Sequence, residues 1–181
     1  IRVVMVHVGD PDRWWDKAYQ DTAKFGTKVD QYVPFRAMME EFPEMTWVGA
    51  HLAGDPEHPD HLEAMLEKYP HFMLDTSATK WQVREVPPRR EAFGSLVRRH
   101  PDRFLFGTDL VTRNMLTEEH YVSRYWCQRT LWESDWSGPS PIADPDHPAT
   151  EGHPTPTLHG VDLPLEVLRK VYWENGRRLL G

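Results

Sequence analysis

The chain has a single cysteine, Cys127, in 181 residues, so no internal disulfide can staple it. A lone thiol suits a reducing compartment, and a cytoplasmic location is expected. No apolar run approaches the ~20 residues that span a bilayer, so no membrane partner is expected. Positive charge is short as well: Lys and Arg total 21 against 28 Asp and Glu, a net charge of −7. A nucleic-acid binder would carry a basic face, and none is expected here. Glycine-rich phosphate loops are missing, since "GDPD" (9–12) and "LAGD" (52–55) satisfy neither G-x-G-x-x-G nor G-x-x-x-x-G-K-[ST]. There is no initial Met and no signal-peptide layout. The chain opens on "IRVVMVHVGDP", which already reads as a buried strand, so a sequence cut at its N-terminus is expected.

What is present is an ordinary globular composition, 39% hydrophobic and 27% charged, with 8 Trp and 16 Pro. The length suits one domain spanning 1–181. "VVMVHV" (3–8) is a continuous β-branched and apolar run of the kind that suits a parallel strand covered on both faces. "GDPDRWWD" breaks it with turn residues. In 30–43, Tyr32, Phe35, Met38, Met39 and Phe42 recur at helical steps, with Pro34 placed near the helix start. The pattern then repeats, with strands at 46–54, 71–78 and 103–110 and helices at 60–70, 87–101 and 117–134. A closing helix covers 161–180, with Asp162 as its expected cap. Residues 135–160, rich in proline (139, 141, 145, 148, 154, 156), read as a long loop without periodicity. Regular alternation of strand and helix signals a parallel β/α architecture.

Aligned by their C-terminal ends, the four strands finish in His7, His51, Asp75 and Asp109. In a β/α barrel those ends face the active site. Two imidazoles and a carboxylate converging there make a metal site or an acid/base pair. Zinc takes imidazole nitrogen and carboxylate oxygen, and a catalytic zinc keeps a position open for water, whose pKa it lowers to about 7. Each residue also has an ordinary explanation. A strand-end His is commonly a hydrogen-bonded structural group, and Asp109 after "FGT" suits a turn or cap. Asp75 reads as a supporting carboxylate.

The segments "MVHVGDP" (5–11), "TWVGAHLAGDPE" (46–57), "LDTSATKW" (74–81), "FLFGTDLVT" (104–112) and "LPLEVLRKVYWENGRRLL" (163–180) occur in an order that resembles the amidohydrolase-related family. These are TIM-barrel metal-dependent hydrolases that include aminocarboxymuconate-semialdehyde decarboxylase-like enzymes. The resemblance runs along nearly the whole chain but covers only the C-terminal half of the family's barrel. It implies an α/β fold, the C-terminal half of a TIM (β/α)8 barrel with four parallel strands alternating with helices. It implies a divalent metal ion, zinc foremost. His7 matches the metal-binding His of the family's fifth strand. His51 matches the sixth-strand His, which acts on substrate or metal-bound water in some members and binds a second metal in others. Asp109 matches the eighth-strand Asp, a metal ligand that also handles a proton. The chain departs from the family in lacking the first-strand His-x-His pair. Its nearest cluster, His58 and His61, lies in a polar turn and reads as surface.

The loops after the strands would line the pocket. Asp10 and the pair Trp14 and Trp15 follow the first strand, and an aromatic wall suits a planar or carbon-rich substrate. Lys80 and Arg84, with Arg113 further on, are candidates to pair with a substrate carboxylate. The alternative for Trp14 and Trp15 is loop packing, and for the cations a solvated helix face. A small-molecule substrate and a homodimer are the expected partners. Two readings of the chain stand. One is a metal-dependent hydrolase or non-oxidative decarboxylase, with His51 and Asp109 catalytic and His7 and Asp109 on the metal; these 181 residues alone are then expected to be inactive. The other is an inactive half barrel or binding module in which the same side chains are structural.

Overall fold

The computed structural model describes residues 2–144, 146 and 155–181. Strands β1 (Val3–Val6), β2 (Thr46–Gly49), β3 (Phe72–Asp75) and β4 (Phe104–Leu105) form one sheet in chain order. All neighbours are parallel, with Val3 opposite Thr46, Trp47 opposite Phe72 and Leu74 opposite Phe104. A parallel pair needs a crossover, and helices supply it. The helices are α1 (Asp12–Ala18), α2 (Lys28–Glu41), α3 (Pro59–Lys68), α4 (Thr79–Glu85), α5 (Arg90–Arg99) and α6 (Glu118–Glu133), with a single turn at Thr22–Phe25. A last helix, α7, runs from Leu165–Arg169 through a π turn at Lys170–Glu174 into Asn175–Leu180. This is the arrangement of four successive units of a β/α barrel.

Alternation along the strands divides the side chains. Val4, Val6, Trp47, Phe72, Leu74 and Phe104 enter the main core with helix residues such as Phe35, Leu62, Leu66, Phe93 and Leu96. The opposite face carries Met5, Val48 and Met73, adjacent in register. Val48 and Met73 are buried, whereas Met5 on the edge strand is 60% exposed.

Several boundaries differ from the sequence reading, each for a local reason. Helix α2 begins at Lys28, six residues before Pro34, because Thr27 and Asp30 form a reciprocal capping box that satisfies the first amides there. "RWWD" is helical within α1 rather than a turn, and "TKWQVRE" is α4, which buries Trp81, Gln82 and Val83. Strand β2 stops at Gly49, not at residue 54. His51, Leu52 and Ala53 adopt left-handed φ of 58°, 55° and 54°, and Gly54 follows at 70°. Asp162 does not cap α7. It sits at φ 55°, and the helix starts after Pro164. The proline-rich stretch contains an antiparallel pair, β5 (Ser137–Pro139) with β6 (Thr157–His159). Its Pro145, Pro148 and Pro154 lie outside the described residues.

Two motif residues prove to be fasteners. Asn175, fully buried, donates through Nδ2 to the carbonyls of Pro101 and Phe104, both at 2.8 Å, which ties α7 to the start of β4. Gly107 brings the chain after β4 so close to β3 that a Cβ there would stand 3.0 Å from Ser77 Cβ.

Candidate active site

The C-terminal ends of the strands gather the side chains singled out from the sequence. His7 follows β1 and His51 follows β2, with ring centroids 5.1 Å apart in an edge-on arrangement. Asp75 ends β3 and is buried. Asp109, four residues past β4, is exposed and adopts φ 54°. Its charge acts on both imidazoles.

His51 is held by a relay. Its backbone N–H donates to Asp75 Oδ1 at 2.7 Å, which offsets some of the cost of the left-handed turn it opens. Its Nδ1 lies 2.6 Å from Ser77 Oγ, and that hydroxyl donates to Asp75 Oδ1, also at 2.6 Å. A hydroxyl has one proton, so Ser77 must accept from His51, and Nδ1 carries the hydrogen. Nε2 is therefore the nitrogen left with a lone pair. Burial pushes the His51 pKa below its ordinary value, against the charges of Asp75 and Asp109, so the ring is neutral near pH 7. His7 moves the other way. Its hydrogen bond to Asp10, Nε2 to Oδ1 at 3.2 Å, raises the pKa against burial, with Asp109 and Asp75 adding to the rise.

Asp10 is buried and also accepts from Tyr19 Oη at 3.0 Å, so it orients His7 from within the fold. Trp14 packs on Trp81 at 6.0 Å, and Trp81 in turn lies 6.0 Å from His51. Lys80 lies over both indoles. Arg84 is held in a cluster of acids that includes Asp146, which also accepts from Trp81 Nε1 at 3.2 Å. Its guanidinium binds Glu85, Asp144 (2.7 Å) and Asp146 (2.6 Å), and its side chain is 9% exposed. Acids of its own chain, two of them in the segment after β5, thus already match the guanidinium expected to meet a substrate carboxylate.

A cleft of about 260 Å³ opens where β3 and β4 end. Asp109 lines it with Lys80, Arg113, His120 and Arg124. The last two were missed, because they lie on α6 and no strand-end pattern points there. Ser77 was also missed as a functional group, although "DTS" at a strand end places a hydroxyl two residues past a carboxylate.

The His7 imidazole and the Asp109 carboxylate fit a divalent cation in kind, and the free Nε2 of His51 stands beside His7 as a proton acceptor. The geometry is open. Among the described residues, the groups whose ligand atoms all lie within 4.8 Å of one another are Asp12, Asp55, Glu57 and His58, and separately Glu63, Glu67 and His100. Both sets already meet a cation from the chain. Lys28 Nζ stands 2.6 Å from Asp12, 2.8 Å from Asp55 and 3.6 Å from Glu57. Arg99 chelates Glu63. His58 and His61, read as surface, both bind the buried Asp55 carboxylate, at 2.7 and 2.6 Å.

No helix among the described residues is long and apolar enough to cross a membrane. The comparison with curated proteins and the comparison with solved structures each returned no match. A family model described as amidohydrolase matches residues 1–181. With the β/α order and the strand-end imidazoles already in place, that match settles the kinship: the chain belongs to the amidohydrolase family.

Proposed function

We propose that this chain carries the proton-handling and metal-holding side of a hydrolytic centre acting on a small carboxylated substrate. The observation that carries the reading is the His51–Ser77–Asp75 relay, which fixes a neutral imidazole with a free Nε2 beside His7. His7 and Asp109 would hold a divalent ion, zinc by donor preference. Such an ion supplies Lewis-acid polarisation of a bound carbonyl or carboxylate. His51 Nε2 takes the proton of the attacking nucleophile, and the imidazolium so formed is steadied by Ser77 and Asp75. Asp10 keeps the His7 ring from rotating. Lys80, Arg113 and Arg124 seat the substrate carboxylate in the cleft beside Asp109.

The cationic cleft also favours a second reading, non-oxidative decarboxylation. There the C–COO⁻ bond breaks, CO2 leaves with the bonding pair left on the carbon, and that carbon takes a proton that His51 Nε2 has first collected from a bound water. The test is metal analysis and turnover of the protein with a panel of carboxylated amides, esters and aromatic acids, following acid or amine release against CO2. His7→Ala should lose metal and activity, and His51→Ala should keep metal and lose activity. If neither variant changes metal content or turnover while both change stability, the side chains are structural and the enzyme reading fails.

A further inference from the structure

Helix α6 has two apolar faces. One buries Cys127, Leu131 and Trp132 in the fold. The other carries Val122, Tyr125 and Trp126, which are 57%, 48% and 40% exposed. A helix lying on a single core turns charged and polar residues outward at such positions. Here the outward stripe runs Glu118, Tyr121, Val122, Tyr125, Trp126, Arg129, with spacing i, i+3, i+4, i+7, i+8, i+11. It forms the wall of a groove of about 590 Å³. Contiguous exposed apolar surface of this kind marks an interaction site.

The order of residues in the stripe says which partner fits. It reads inward alike from both ends, about a point between Ser123 and Arg124: acid facing base, then aromatic facing aromatic, then Val122 facing Tyr125. A second copy of α6 laid antiparallel across a two-fold axis therefore sets Glu118 against Arg129, Tyr121 against Trp126 and Val122 against Tyr125. Symmetry makes each contact twice, as an isologous interface requires. Arg129 is steadied by Glu133 on its own helix through Nε and Nη2, at 2.8 and 2.9 Å, and its side chain remains 65% exposed. We infer that this face of α6 is a homodimer interface, with a second copy of this chain as its occupant.

Residues 118–129 extend only about 17 Å along the helix, so this pair alone falls short of the roughly 1,200–2,000 Å² that a stable interface buries. The apolar surface continues. A second groove of about 580 Å³ shares Arg129 and Glu133 with the first and runs on to Leu165 and Trp173, which are 73% and 66% exposed. The buried side of α6 reaches the candidate site. Gln128 Nε2 donates to the carbonyls of Thr76 and Gly107, and His120 and Arg124 line the cleft beside Asp109. Dimerisation on the outer face would thus brace one wall of that cleft.

The experiment is sedimentation velocity on the chain and on charge-swap variants, with far-UV circular dichroism to check that each folds. The wild-type chain should be dimeric at about 50 µM. Glu118→Arg alone and Arg129→Glu alone should each raise the dissociation constant about tenfold or more, because both copies of the pair then repel. The double variant Glu118→Arg/Arg129→Glu should recover most of the wild-type affinity, since the swapped charges face each other again. A monomeric wild-type chain overturns the inference, as would folded single variants that dimerise like wild type or a folded double variant no tighter than the singles. A chain that stays monomeric until a different protein covers α6 would assign the face to that partner instead.

Discussion

Lys28→Met is the sharpest perturbation of the fold around the site. The Lys28 ammonium lies among three carboxylates, with a side chain only 11% exposed. It joins the segment after β1, which carries Asp10, to the segment after β2, which carries His51. Methionine keeps the apolar stem and removes the charge. Glu57 is then a buried acid without its cation, Asp55 keeps the imidazoles of His58 and His61, and Asp12 is half exposed and contributes little. Breaking a buried pair from one side costs about 3–5 kcal/mol. At roughly 2–4 °C per kcal/mol for a chain of this length, Tm should fall by about 6–20 °C. The loss should be largest near pH 8 and shrink toward pH 5.5, where Glu57 takes up a proton and His58, whose pKa Asp55 and Asp12 raise against burial, becomes charged. Urea unfolding followed by circular dichroism and Trp fluorescence reads this directly. A loss under about 1 kcal/mol at pH 8, the range of an exposed ion pair, would refute the reasoning. So would a loss that grows on acidification.

Other outcomes follow from the same geometry. Glu57 has its pKa pushed up to about 7 by burial, which outweighs Lys28, with Glu85 and Asp12 adding to the rise. The folded state therefore binds this proton more tightly than the unfolded chain, and stability present below about pH 4.5 drains away as pH rises to 7. Glu57→Gln should flatten that fall by up to about 3 kcal/mol, measured as urea midpoints from pH 4.5 to 8; an unchanged slope would count against it. Ser77→Ala should leave bound metal unchanged and lower turnover about 10- to 100-fold, because His51 loses the acceptor that sets its tautomer; unchanged turnover would remove the relay from the mechanism. Gly54→Ala should cost at least about 3 kcal/mol, since the position needs φ +70° and its Cβ would stand 2.3 Å from the Gly9 carbonyl oxygen. A near-native melting temperature for that variant would show that the two loops have room to separate.

The alternation of strand and helix, the parallel sheet and the strand-end positions of His7, His51, Asp75 and Asp109 were legible because they are local. Apolar runs, turn residues and the residue that closes each run belong to a few consecutive positions. The family was legible for the same reason, as short segments in a fixed order. Helix and strand limits were less so: Thr27 and Asp30 start α2 ahead of Pro34, and a left-handed turn ends β2 at Gly49. Asp162 has the residue type of a cap, but its left-handed φ takes it out of that role.

What no reading of consecutive residues reaches is which charged group meets which. Lys28 finds Asp55 and Glu57 across the gap between two loops, and Arg84 finds Asp144 and Asp146 some sixty residues away, while Arg124 and His120 join Asp109 in the cleft. Cationic side chains on three helices, Lys28 on α2, Arg84 on α4 and Arg124 on α6, thus end as clamp, fastener or cleft wall. The sequence by itself determined the β/α order and the kinds of donor at the strand ends. Only the tertiary structure decided which donors remain free, because a buried charge must be matched wherever the fold places it, and the match is made in space rather than along the chain.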